Sequence, residues 1–460
     1  MTTEGSPVPY LLNLIYLLLI ALAAPWLLWS AWRKGKYRRG WGEKFLGRVP
    51  VSPDDGRPCV WLHAVSVGEV NLLPGLVRAV EQRFPEWRCV ISTTTRTGMD
   101  LARRRFPGHT VFHCPLDFTW STGAAMRRVR PSLLVLAELE VWPNLIRAAQ
   151  RHGARVAVIN GRLSENSFRG YRRARWLLRG VFARLDLVAV QDATYAERFR
   201  AMGAAPDRVH VTGSMKFDGA QTERDNPKTR ELATLAGFGN DDVVFLAGST
   251  QEPEEQIVLD VFRQLSLRRL GGDHPRLRLV IVPRHPERFD EVAHLIERSG
   301  LRWQRRSKLR GRESETPQAD NLLSEKREAS PAAKCPTPNV LLVDTVGELG
   351  AWWGTARIAY VGGSLGSRGG QNMIEPAAYG AAVSFGPNTR NFRDIVTMLL
   401  ARDAAVVVDD GPALEAFIRR CLDEPDWATA MGRRARELVV EQQGATHRTV
   451  ELLGRVRPTI

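Results

Sequence analysis

The chain has 460 residues, 44% of them hydrophobic, which is enough for two or three domains with real cores. It carries 65 Lys+Arg against 50 Asp+Glu, a formal net charge of +15, so an anionic partner is expected: nucleic acid, anionic lipid or a phosphorylated substrate. Five cysteines (Cys59, Cys89, Cys114, Cys335, Cys421) are scattered with no CxxC, which argues against a disulfide framework or a zinc site and fits a reducing cytosol.

The first predicted element runs from Tyr10 to Trp32, 23 residues without a charge. About 20 such residues cross a bilayer. Asn13 and Pro25 interrupt the apolar run in a way a membrane helix tolerates. A cleaved signal peptide has a basic start and a shorter apolar core; here the basic stretch comes after, as RKGKYRRGWGEKFLGR, and places that side in the cytoplasm. Trp26, Trp29, Trp32 and Tyr37 suit the membrane interface. The segment reads as a full span or as a monotopic, half-inserted helix kinked at Pro25. In both cases residues 1–38 form an anchor with a basic collar that attracts anionic lipid.

Past the anchor, continuous apolar runs alternate with amphipathic segments. CVWLH, RCVIS, LLVLAELE, RVAVING, LDLVAVQ and RVHVTGS form one series of strands; VVFLAGST, LRLVIVPRH, VLLVD, RIAYVGG, AAVSFG and AAVVVDD form a second. Such alternation means parallel sheets covered on both faces. The expected architecture is α/β: two doubly wound domains, 45–218 and 235–440, a linker 219–234, a cleft between the domains, and a C-terminal helix in 441–460. Residues 302–338 are charged, contain Pro and Ser, and lack periodicity; they read as a flexible surface loop.

The candidate chemistry lies at strand ends. HAVSVGEV (His63–Val70) follows the first strand; Ser66 and Glu69 have capping-box spacing, while Glu69 also stands where α/β sheets put their chemistry. STTTRTG adds Thr94 and Thr97, and AELEVWPN adds Glu138 and Glu140, two apart and so on one face if the strand continues. TGSMKFD brings Lys216. In the second series, AGST offers Ser249 and Thr250, VPRHPER offers Arg284 and His285, and DTVGEL offers Gly347 and Glu348. The most specific stretch is VGGSLGSRGGQNMIEPAAYG: Gly362, Gly363 and Ser364 follow a strand, and a helix near Asn372 would present N–H groups to a phosphate, with Glu375 one turn in to accept from a ribose. This is neither GxGxxG nor a P-loop. No D-x-D occurs, so a metal–diphosphate site is unsupported. No His/Cys cluster has metal spacing. Basic residues are not interleaved with aromatics, which argues against nucleic acid.

Together HAVSVGEV, TTTRTG, ELEVWPN, NGRLSENS, TGSMKFD, VPRHPER, DTVGEL, GGS, GGQNMIEPAAYG and FGPNTRNFRDI resemble the Kdo transferases, which attach 3-deoxy-D-manno-octulosonic acid (Kdo) to lipid A precursor. The resemblance runs from the anchor to about residue 445. It implies a GT-B fold of two Rossmann-like domains, an inverting transfer from CMP-Kdo without metal or other cofactor, and a site on the cytoplasmic face of the bacterial inner membrane. It implies Glu69 as the catalytic base. Ser66, Gly68, Thr94, Thr97, Glu138, Glu140 and Lys216 would hold substrate. Ser249, Thr250, Arg284, His285, Gly347, Glu348, Gly362, Gly363, Ser364, Asn372 and Glu375 would hold the nucleotide. The expected partners are CMP-Kdo, lipid A precursor and anionic lipid of the inner membrane. The chain departs from the family pattern at Gln371, where the family has His, and at Leu139, where it has Thr. The competing readings are a GT-B enzyme using a UDP-sugar and a basic membrane-anchored scaffold or nucleic-acid-binding protein.

Overall fold

A computed structural model describes residues 8–34, 40–51, 53, 55–268, 276–309 and 339–456. Tyr37, Cys335, residues 35–39 of the basic stretch and most of the 302–338 segment lie outside the described residues. The chain divides into two compact units, Met1–Gly219 with Gln442–Ile460, and Ala220–Glu441.

The first unit holds β1 (Cys59–His63), β2 (Arg88–Thr93), β3 (Thr110–His113), β4 (Leu133–Ala137), β5 (Arg155–Gly161), β6 (Leu187–Val190) and β7 (Val209–Val211). They form one sheet in the order β3-β2-β1-β4-β5-β6-β7, with every pairing parallel. Alternate residues feed opposite faces: Trp61, Leu134 and Leu136 enter one core, while Val60, Leu62, Leu133 and Val135 enter the other. Both faces are dry, which is why the strands read as unbroken apolar runs. The helix Ala445–Arg455 closes the second face with Ala445, Val450 and Leu453. Asp218 fixes its start, its carboxylate accepting from the amides of Gly444 (2.7 Å), Ala445 (3.2 Å) and Thr446.

The second unit holds β8 (Asp242–Thr250), β9 (Arg276–Pro283), β10 (Trp303–Arg305), β11 (Val340–Leu342), β12 (Ile358–Val361), β13 (Ala382–Phe385) and β14 (Ala405–Val407), in the order β10-β11-β9-β8-β12-β13-β14 and again all parallel. The segment read as linker belongs to this unit: Arg224 donates to the carbonyls of Tyr379 and Gly354, and Thr229 to that of Ala351.

Three strand readings change. TVFH (β3) and WQR (β10) are strands that the hydrophobic pattern does not announce. Both are short and only partly buried, so periodicity has little to register. Residues 302–309, expected in a structureless loop, therefore begin with a strand paired to Val340–Leu342. Finally, β4 stops at Ala137, because Glu138 adopts a left-handed φ of 55°. Glu138 and Glu140 therefore sit in a turn and do not share a strand face.

The N-terminal helix Val8–Lys34 docks on the first unit along one stripe. Leu12 and Asn13 are buried; Asn13 Nδ2 donates to Thr119 Oγ1 (2.7 Å), and its Oδ1 accepts from Thr119 N (3.1 Å) and Asn144 Nδ2 (3.4 Å). Tyr16 donates to Asp117 Oδ2 (3.2 Å). Asn13 is thus a docking residue and not an interruption. Asp117 in turn accepts from the amides of Asn144 and Leu145, satisfying the start of the helix Pro143–Arg151.

Removing the Asp218 cap is expected to cost about 1–2 kcal/mol, the usual value of an N-cap. Urea unfolding of Asp218→Ala measures it, and an unchanged midpoint would remove Asp218 from the docking of the last helix.

Candidate active site

In the first sheet β1 has β2 on one side and β4 on the other. The chain leaves these neighbours in opposite directions, and the crevice opened at their carboxyl ends is where doubly wound sheets bind ligands. Glu69 follows β1, and Glu138 and Glu140 follow β4, so this crevice is lined by three carboxylates.

Glu69 is buried in the short helix Val67–Val70. Ser66 caps that helix, its Oγ accepting from Glu69 N (3.4 Å), as the spacing predicted. The return bonds differ from a simple capping box: the Glu69 carboxylate accepts from the Val65 amide (2.8 Å) and from the Ser66 hydroxyl (2.8 Å). Val65 is pinned at both ends, since its carbonyl accepts from Thr93 (3.1 Å) and Thr95 (3.2 Å). These are not the expected hydroxyls. Thr94 meets Lys44 through its carbonyl (3.1 Å), and Thr97 is exposed on the helix Arg96–Arg105. Gly68 is exposed. Gly98 lets the loops close, because a Cβ there would lie 2.6 Å from Thr93 Oγ1 and 2.7 Å from Thr95 Oγ1.

Burial raises the Glu69 pKa above the ordinary glutamate range; the Val65 and Ser66 hydrogen bonds oppose this, and the negative charge of Glu138 adds to it. Burial also pushes Glu140 up, to about 7, with the neighbouring charge of Glu69 as the second cause and a hydrogen bond from Trp142 Nε1 (2.8 Å) holding it back. Lys216 Nζ lies 3.4 Å from Glu138 Oε1, so this lysine compensates one of the three carboxylates. It is set by Asn160 at the end of β5, whose Oδ1 accepts from Met215 N (3.0 Å). The crevice thus gathers three carboxylates, with Lys216 against one of them and two of them raised in pKa.

The second sheet repeats the plan. Strand β8 lies between β9 and β12, and the loops after these strands converge. Ser249 (φ 56°) and Thr250 are buried at the end of β8. The Thr250 carbonyl accepts from Arg284 N (3.0 Å), at the end of β9. Arg368, in the glycine-rich loop, donates to Gln251 Oε1 (3.2 Å), and its Nη2 lies 3.0 Å from His285 Nε2. Glu375 is driven up by burial, while a hydrogen bond from Asn372 (2.9 Å) and the nearby positive charge of Arg284 draw it back. Gly347 adopts φ 92°.

The amides of Gly363 (2.7 Å), Ser364 (2.9 Å) and Leu365 (3.0 Å) donate to the buried carboxylate of Glu254, which also accepts from Gln251 N (3.0 Å) and Tyr360 Oη (2.9 Å). Gly362 is required by this closeness, since a Cβ would lie 2.6 Å from Thr250 Cα. Glu348 is likewise used internally: Arg306 grips it through two nitrogens (2.9 and 2.8 Å), and Thr345 donates a third bond (2.8 Å). Sequence reasoning missed Glu254, because its partners in the glycine-rich loop lie more than 100 residues away; only its place just after the AGST strand end pointed to it. Among the described residues no group of three or more His, Cys, Asp or Glu is arranged to hold a metal ion.

A family model for 3-deoxy-D-manno-octulosonic-acid transferase matches residues 39–219. The 3-deoxy-D-manno-octulosonic acid transferase of Haemophilus influenzae is 31% identical over 423 residues, covering 91% of each chain. This chain belongs to the Kdo transferase family. The Bordetella pertussis enzyme of the same name is 33% identical over 455 residues, 95% of this chain and 98% of that one. Among solved structures, the UDP-GlcNAc 2-epimerase of Neisseria meningitidis superposes with a TM-score of 0.53 at 12% identity, covering 86% of this chain and all of that one, a likeness of fold. The fold is of the GT-B class, and the Kdo transferase is a glycosyltransferase of lipopolysaccharide biosynthesis.

Glu254→Ala orphans several buried donors at once, each costing about 1–3 kcal/mol. It is expected to lower the melting temperature and abolish nucleotide binding. Glu254→Gln, which keeps the shape but turns one acceptor into a donor, should fall between. Calorimetry and CMP titration of both variants check this; full binding by Glu254→Ala would show that the glycine loop stands without its carboxylate.

Proposed function

We propose that the chain transfers Kdo from CMP-Kdo to a sugar hydroxyl of lipid A precursor with inversion at the anomeric carbon, and that Glu69 is the general base. The acceptor oxygen attacks the anomeric carbon and gives its proton to Glu69. The bond to phosphate breaks, and CMP leaves with the electron pair. The catalytic domains face the cytoplasm at the bacterial inner membrane, where anionic lipid meets the basic collar.

The observation that carries the reading is the crevice between β1 and β4. It offers a buried carboxylate whose pKa is raised toward working pH, as a base requires. Ser66 and Val65 aim that carboxylate, and Glu138 and Glu140 raise the proton affinity of the crevice as a whole. Helix capping and catalysis are compatible roles for Glu69, because the cap orients the same oxygens. Lys216 lies 3.4 Å from Glu138 and holds it in place. On the donor side, Arg284 is the exposed cation beside Glu375, suited to the single phosphate of a CMP leaving group. Asn372 and Glu375 supply acceptors for a ribose. Gly362, Gly363 and Ser364 act through shape, since the Gly363 and Ser364 amides are bound to Glu254. No metal or other cofactor enters this scheme; the charge of the leaving group is met by side chains.

The test is transfer of Kdo to tetraacylated lipid A precursor by detergent-purified protein, with CMP-Kdo formed in the assay from CTP and Kdo. Glu69→Gln preserves the cap and removes the base. A loss of roughly 100-fold or more in kcat, at an unchanged melting temperature, is expected. Equal turnover would return Glu69 to capping alone. Inhibition by UDP with none by CMP would point to a UDP-sugar donor instead.

A pH profile supplies a second check. The base works only when deprotonated, so kcat/KM should fall as pH drops through the Glu69 pKa, which lies above the ordinary carboxyl range. Because the Glu138 charge raises that pKa, Glu138→Gln should move the acid limb to lower pH. A limb that stays put would uncouple Glu138 from the base.

A further inference from the structure

The N-terminal helix is apolar on every side, yet among its described side chains only one stripe is covered. Leu12, Asn13, Tyr16, Ile20, Ala23 and Ala24 are buried or half-buried at helical spacing. Tyr10, Leu11, Leu14, Leu18 and Leu22 are exposed, Leu22 at 80%. Such a row has no place in water.

The covered stripe is held by polar bonds near the beginning of the helix, at Asn13 and Tyr16. That position decides the geometry. A helix crossing the bilayer over Pro9–Trp26 with its basic end in the cytoplasm puts Asn13 about 20 Å beyond Trp26 along the axis, at roughly 1.5 Å per residue. The hydrocarbon layer is about 30 Å thick, so Asn13 would then lie deep within it or beyond. Its partners Thr119 and Asn144, with Asp117 beside them, belong to the catalytic unit, which cannot follow it into lipid without stranding backbone polar groups. The two arrangements exclude each other.

A second observation names what covers the exposed row. Tyr16 meets Phe118 edge to face (6.0 Å), and Phe118 stacks on Trp120 (4.5 Å) and Phe45 (6.3 Å), which stacks on Trp41 (4.7 Å). Trp41 and Trp120 are exposed at 51% and 45%. Exposed tryptophans joined to an apolar helix and flanked by basic residues are the pattern of the membrane interface, where the ring's apolar body and polar N–H are both accommodated.

We infer that the helix Val8–Lys34 is an in-plane anchor: the polar latch Asn13–Thr119–Asn144 and Tyr16–Asp117 holds it along the catalytic unit, its outer row enters one leaflet only, and both its ends stay on the same side. Resting on the function proposed above, this has a consequence for catalysis. Asn144 follows directly on the turn that carries Glu138 and Glu140, and Asp117 caps the same helix. The latch therefore ties the leaflet surface, where a lipid acceptor resides, to the carboxylate crevice.

The test measures depth. Leu11→Cys and Leu22→Cys, both at exposed positions, are labelled with a fluorophore on the full chain and reconstituted in vesicles of phosphatidylethanolamine and phosphatidylglycerol bearing nitroxides at shallow or deep acyl positions. An in-plane helix gives the two labels the same shallow depth. A spanning helix separates them by about 16 Å, at 1.5 Å per residue, and overturns the inference. Absence of quenching at both, with a doubled mass, would assign the row to a second copy and also overturn it. Asn13→Leu combined with Tyr16→Phe, which removes both halves of the latch and makes the helix more apolar, should drive the two depths apart; equal depths in that double variant would show that the latch does not hold the helix. None of these readouts depends on turnover, so a failed transfer assay and a failed anchor are separate results.

Discussion

Two neighbouring parallel strands whose crossovers leave in opposite directions cannot be roofed by either crossover. The crevice that results is the constraint on which both candidate sites depend. It occurs once per unit, between β1 and β4 and between β8 and β12. Glu69, Glu138, Glu140, Gln251, Glu254 and Arg368 all stand on segments that leave one of those four strands. The buried sheets beneath supply rigidity, and the loops supply chemistry.

The two crevices use the same acidic side chain for opposite purposes. Glu254 is surrounded by donors: three amides of the glycine-rich loop, one of its own loop, and a tyrosine hydroxyl. Its charge is spent on holding two loops together. Glu69 accepts from Val65 N and the Ser66 hydroxyl, Glu140 accepts from Trp142, and Lys216 lies against Glu138. Burial outweighs these hydrogen bonds and raises both pKa values. The structural carboxylate differs from the crevice carboxylates in the number of donors that surround it.

Legibility in the sequence follows the range of the interaction. The strand-end positions of Glu69, Arg284 and the glycine loop are readable, because strand and helix periods are local. The Ser66 cap is readable for the same reason. The alternation in LAELE suggests that β4 runs on, since no pattern of residue types announces the left-handed φ at Glu138. That the hydroxyls of Thr93 and Thr95 bond the Val65 carbonyl of the HAVSVGEV loop is not readable, because the contact joins loops about 30 residues apart. Glu254 is invisible, because its donors Gly363, Ser364 and Leu365 are 109, 110 and 111 residues away.

Asn13 shows why composition alone cannot settle how an apolar helix meets a membrane. By length and polarity the segment passes every requirement for crossing, and one asparagine changes the total little. What matters is where the asparagine finds its partners. Bonded to Thr119 and Asn144 of the catalytic unit, it fixes one turn of the helix to a water-soluble surface. Once that turn is fixed, the rest of the helix is no longer free to cross. Its leucines can reach lipid only sideways, and the same bonds that satisfy a buried amide then set the height at which the carboxylate crevice stands above the leaflet.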